Sequence, residues 1–330
     1  MNCIEKEYKN IITRIGFSLL FFLLAFNLLS GGAEVISLLL REFDSSSDFI
    51  YIATDIGSTL AYIASFVLPV PFFYIISKNL PRHPVDLSLS LPSPHSGAKL
   101  ALIVFAGVAV IVPMAYVNSI LFPVTSDVAL EVFDFDFSKP YKLVLSFIST
   151  AIAPAFVEEL LFRGLIISNI KPYSKSAAVI MSAIAFGLMH QNPTQLLYAT
   201  AAGFVLGLVY IETNSIWCCI TLHFVNNFIS VVQTYLLYIL NEETANLVIT
   251  FFDIAIVLIG LICVAMLLYL LKKKNKYKQI GVYGSFDAVR VEEKEGLNFL
   301  KLGVFTPTML IFFILCVIQS VVNGVMLSVA

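Results

Sequence analysis

The chain has 330 residues; 59% are hydrophobic, only 13% are charged, and the mean hydropathy is +0.91. Soluble domains average about 45–50% apolar and about 25% charged residues, so a single water-solvated domain, a disordered chain and a disulfide-stapled secreted module are excluded. A net charge of −2 gives no basis for binding nucleic acid. Lipid is the solvent. A spanning helix takes about 20 apolar residues, so the apolar fraction supplies about eight or nine spans of an all-α, polytopic membrane helix bundle.

Apolar runs predict nine helices, at 11–30, 50–77, 98–122, 141–169, 175–190, 194–211, 215–240, 246–271 and 303–329. The first has a basic flank and ends in Ser30-Gly31-Gly32-Ala33, as a signal peptide does. Its apolar core is longer than a signal h-region and Glu5 and Glu7 precede it, so it reads as an uncleaved helix. Pro81, Pro84, Pro92 and Pro94 mark the inner loop after the second run as irregular, with His83 and His95 solvated. The 175–190 run is short for a crossing, and Asn192 and Pro193 separate it from the next. Gly203 and Gly207 form G-x-x-x-G, a close-packing pattern. Cys218, Cys219, Cys263 and Cys316 lie in apolar runs and read as small buried hydrophobes. The chain divides into N-terminal helices (1–140), a central core (141–240) and C-terminal helices (241–330), the last with a basic loop at 272–302.

Charge orients these helices. With the N-terminus inside, all but Arg41, Lys139 and Lys142 of the 20 basic residues fall on the inner side, as the positive-inside rule requires. The chain is then an integral, multi-pass membrane protein with a cytoplasmic N-terminus and an outside C-terminus.

Ionisable groups inside spans are costly and mark function. The fourth span carries Glu158, Glu159 and Arg163, the fifth ends at His190, and the seventh carries His223, Asn226 and Asn227. Glu159 and Arg163 are four apart with the acid first, the favourable order for an ion pair, which leaves Glu158 as a free carboxylate. Pro154 has no N–H for the carbonyl of Thr150, so a kink just before the acids is expected. Phe186 and His190 are four apart, so the ring packs along the imidazole. His223 and Asn227 share a face, and Asn226 points elsewhere. Asp253 stands alone near the outer end of the eighth span. Structural roles for single pieces, an ion pair or interhelical hydrogen bonds, do not account for the whole set.

The set resembles the family of CAAX prenyl endopeptidases and bacteriocin-processing proteins, the CPBP or ABI intramembrane proteases. Its signature of E-E-x-x-x-R, F-x-x-x-H and H-x-x-x-N reads here as Glu158-Glu159…Arg163, Phe186…His190 and His223…Asn227. The resemblance covers about residues 145–230. It implies hydrolysis of a peptide bond at a membrane-embedded site open to the cytoplasmic side. Glu158 is then the general base, His190 helps to bind water, His223 and Asn227 stabilise the oxyanion, and Glu159 and Arg163 form the supporting pair beside Phe186. The implied substrate is a peptide or lipidated protein held at the membrane, prenylated CAAX-type proteins being one class. Glu158, His190 and His223 also have the composition of a zinc site, and the same residues serve without a metal. Two other readings are a transporter or channel with a Glu/His relay, and a catalytically silent immunity or partner protein. No internal repeat of the kind many transporters carry is visible.

Overall fold

A computed structural model describes residues 3–43, 47–79, 97–121, 137–279 and 293–329. Every described element is a helix: α1 (Cys3–Phe43), α2 (Asp48–Val67), α3 (Pro69–Ile76), α4 (Gly97–Leu121), α5 (Pro140–Ile170), α6 (Lys175–Met189), α7 (Pro193–Thr213), α8 (Ile216–Ile239), α9 (Glu242–Gln279), α10 (Glu293–Val304) and α11 (Pro307–Val329). Eight of the described helices, counting α2 and α3 as one, are long and apolar enough to cross a membrane, and α6 is a shorter apolar helix. The chain is a polytopic helical bundle. The loop with His83 and His95, and the acids Asp44, Asp127, Glu131, Asp134 and Asp136, lie outside the described residues.

The loop expected at 272–302 is helical at both ends. α9 continues to Gln279, carrying the lysine cluster on its last turns, and α10 fills 293–304 of the stretch expected as a loop. Lysine and glutamine are good helix formers, so polarity alone does not end a helix already nucleated in the membrane.

The two sides of the bundle meet on α5. α1 packs on α2, α3 and α11, while α4 packs on α7, α8 and α9. α2 touches the middle of α5 from one side, and α8 lies along it from the other. Lipid removes the usual hydrophobic drive between helices, so close approach of small residues matters more. At Gly203 of α7 a Cβ would sit 3.1 Å from Ala183 Cα of α6 and 3.1 Å from Phe186 Cβ. The G-x-x-x-G pattern is therefore the seam between α6 and α7.

α6 ends where the sequence predicts an interruption. His190 caps it, Gln191 adopts a left-handed φ of 52°, and the Asn192 side chain accepts from Thr194 N–H to start α7 with Pro193 in its first turn. Asp253 is not isolated: it is buried, and accepts from Tyr116 Oη at 2.6 Å and Gln233 Nε2 at 2.8 Å. A carboxylate in hydrocarbon needs donors, and neighbouring helices supply them.

Candidate active site

α5 is not a uniform helix. Its backbone opens to π geometry over Ile148–Ile152 and Leu160–Ile167, on either side of an α-helical stretch, Ala153–Glu159, that carries both acids. Ala153 N–H reaches back to Ile148 O, and Ser168 N–H to Arg163 O, five residues each. Pro154 sits at the first junction and cannot donate to Thr150 O; Asn227 Nδ2 of α8 donates to that carbonyl at 3.1 Å. The expected irregularity is thus a π segment, a form frequent at functional sites.

Glu159 and Arg163 are fully buried and form the predicted pair, Nη1 to Oε1 at 2.9 Å. Arg163 Nη2 donates to Gly203 O at 2.9 Å, and its guanidinium lies 4.8 Å from the Phe186 ring centroid. The pair also reaches a third helix. His223 Nδ1 lies 2.8 Å from the same Glu159 oxygen. A carboxylate only accepts, so this nitrogen carries the hydrogen and Nε2 is left facing Glu158, 3.9 Å from its Oε2. Glu159 therefore orients His223 as well as partnering Arg163. The i,i+4 spacing reveals only the contact within the helix.

Glu158 is buried but not free: Tyr62 of α2 donates its hydroxyl to Oε1, while Oε2 has no hydrogen-bond partner among the described residues. His190 Nδ1 is 2.7 Å from Phe186 O, so its Nε2 is the open nitrogen. The Phe186 ring is tilted 59° to His190, at 5.2 Å between centroids, and meets His223 edge-on at 5.7 Å. It contacts both imidazoles rather than stacking flat on one.

Glu158, His190, His223 and Asn227 all line one cavity of about 60 Å3, with Ile111, Phe186, Ala199, Ala202 and Leu206 as its apolar lining. That is room for a few water molecules at most. Asn226 lines it too, contrary to the expectation that it points elsewhere. Its Nδ2 donates to Tyr198 Oη at 2.5 Å and to Asn227 Oδ1 at 3.2 Å. Adjacent residues differ by about 100° around a helix, but a polar cavity between helices is wide enough to take both asparagines. Sequence reasoning did not single out Tyr62 or Tyr198. The available signal was a phenol in the middle of a span, which needs a partner inside the protein.

A zinc site needs three such donors about 2.0–2.2 Å from one point. Among the described residues no group of three His, Cys, Asp or Glu side chains is arranged to hold a metal ion. Glu158, His190 and His223 as placed do not form such a set.

Residues 140–229 match the family model described as type II CAAX prenyl endopeptidase Rce1-like. In Bacillus subtilis (strain 168) the protein named "Putative membrane peptidase YdiL" is 32% identical over 93 residues, which is 27% of this chain and 37% of that protein. The chain therefore matches little more than a third of that relative's length. No solved structure matches it. Both matches bear out the resemblance carried by the three motifs.

Proposed function

We propose that the chain is an intramembrane endopeptidase of CAAX type, on the match of residues 140–229 to the Rce1-like family model and on the geometry of the site. Its substrate is a membrane-held peptide or protein, prenylated C-termini being the first class to try. The observation that carries this reading is Glu158 Oε2, without a hydrogen-bond partner among the described residues, in a cavity lined by polar side chains, with His223 Nε2 3.9 Å away. A buried carboxylate oxygen with no protein partner is costly to keep, and a water between Glu158 and the two imidazoles relieves that cost.

In the proposed reaction Glu158 Oε2 takes a proton from this water as the water attacks the scissile carbonyl. His190, through its open Nε2, helps to hold the water. The carbonyl oxygen becomes an oxyanion facing the second amide hydrogen of Asn227 and His223 Nε2, which donates to it in the doubly protonated imidazolium that the Glu159 carboxylate supports through Nδ1. One preorganised donor there is worth about 3–4 kcal/mol. Glu158 then passes the proton to the leaving amine, and the C–N bond breaks. Glu159 and Arg163 move no proton; they fix His223. No step uses a metal, and access is from the cytoplasmic face.

The test compares purified wild type with Glu158→Ala on prenylated and unprenylated peptides, in sealed vesicles loaded from either side, with bound zinc measured alongside. Cleavage is expected only in wild type, only from the cytoplasmic face, and unchanged by a chelator. Cleavage that persists in Glu158→Ala removes the assigned base. Stoichiometric zinc lost on His190→Ala replaces the metal-free scheme.

A further inference from the structure

The orientation of Glu158 depends on a residue 96 positions away and outside the segment that matches the family. Tyr62 of α2 donates its hydroxyl hydrogen to Glu158 Oε1. Its ring is held in turn by aromatic neighbours: Phe66 at 4.8 Å and Phe26 at 6.3 Å between centroids, with Phe22 packed on Phe66 at 4.6 Å. The phenol is thus anchored to the α1–α2 pair and reaches across to α5.

A carboxylate torsion is broad and nearly two-fold, so an untethered Glu158 exchanges its two oxygens freely. A charge-assisted hydrogen bond on Oε1 removes that freedom. It leaves Oε2 as the oxygen facing His223. Tyr62 is not among the residues that line the cavity, so it holds the base without touching what the base acts on.

We propose that Tyr62 is a positioning residue of the active site, supplied by the N-terminal helices to fix Glu158 with Oε2 toward the cavity. This rests on the reading of Glu158 as general base. Fixing one oxygen raises the fraction of encounters in attack geometry and adds nothing to substrate binding. The effect therefore belongs to kcat.

Tyr62→Phe keeps the ring against Phe26 and Phe66 and removes only the hydroxyl. The expected result is a kcat about tenfold lower or more, with KM changed less than about twofold, from the loss of one hydrogen bond to a charged group. A Tyr62→Phe enzyme with the kcat of wild type overturns the proposal, and so does a loss that appears only in KM. A second measurement needs no activity: thermal unfolding in detergent of wild type, Tyr62→Phe, Glu158→Ala and the double variant. If Tyr62 holds Glu158, the two single shifts fail to add, by about 1–3 °C for a chain of this size. Additive shifts overturn the contact. Should wild type cleave no peptide, the endopeptidase reading fails by itself, and this cycle still decides whether Tyr62 holds Glu158.

Discussion

Arg163 has no exposed surface, yet its guanidinium bonds to acceptors on two helices, Glu159 Oε1 within α5 and Gly203 O on α7. Taking one member out of a buried pair costs about 3–5 kcal/mol, because the charge left behind has neither water nor partner. Here Glu159 also fixes His223, so the damage extends to the site. Arg163→Met is expected to lower thermal stability by that amount and to abolish cleavage. Arg163→Lys recovers neither, since one ammonium cannot reproduce the planar fork that reaches both acceptors. Unfolding curves in detergent and peptide cleavage on the same samples check this. The Glu159–Arg163 contact was legible because helical spacing encodes it. The bonds from Glu159 to His223 and from Tyr62 to Glu158 join residues 64 and 96 apart, and no local period encodes those.

At the scale of a helix, α5 is decided by Pro154. An α-helix continued through 148–154 would want a donor for Thr150 O that proline lacks. The chain instead widens to π geometry and lets Asn227 donate to that carbonyl. A π segment inserts one extra residue per turn relative to an α-helix, so it rotates the remainder of α5 by about 100°. Asn227 thus serves two ends in one motif: it pins the widened turn and leaves its second amide hydrogen for the cavity. Pro154→Ala returns the missing N–H to the carbonyl that Asn227 occupies. The expected variant is at least as stable as wild type, with cleavage reduced about tenfold or more, because a regular helix rotates Glu158 relative to Thr150 and α8. A variant both fully active and unchanged in stability removes this role for the proline. Among the described residues, the eight long apolar helices and the short α6 were legible from apolar run length, whereas α10 was not. The π segments were not, since a proline predicts an interruption without saying which form it takes.

For the whole molecule, the packing pairs chain ends that lie far apart in sequence. Tyr173, just before α6, bonds to Glu7 of α1, and Lys171 bonds to Asn214 after α7 at 2.5 Å. At the opposite end of α6, Asn323 of α11 donates to Gln191 O at 2.8 Å, and Asn118 near the end of α4 donates to Thr194 O. Lys139, before α5, pairs with Asp48 at the start of α2. One group of ends holds residues 7, 171, 173 and 214; the other holds 118, 191, 194 and 323. α6 therefore links opposite ends of the bundle although its 15 residues span only about 22 Å, and His190 at its far end lines the cavity. Counting α6 as a crossing places Lys6, Lys9, Lys171, Lys175, Lys272 and Lys301 on one side and Lys139 and Lys142 on the other. Omitting it would move Lys272 and Lys301 to the side opposite Lys6 and Lys9, against the positive-inside rule. The charge distribution then predicts the first side to be cytoplasmic. In a variant freed of its five cysteines, Lys301→Cys should resist a membrane-impermeant thiol reagent in intact cells, whereas Lys139→Cys should react; both positions are exposed. The reverse pattern inverts the orientation, and reaction at both positions removes α6 from the count of crossings.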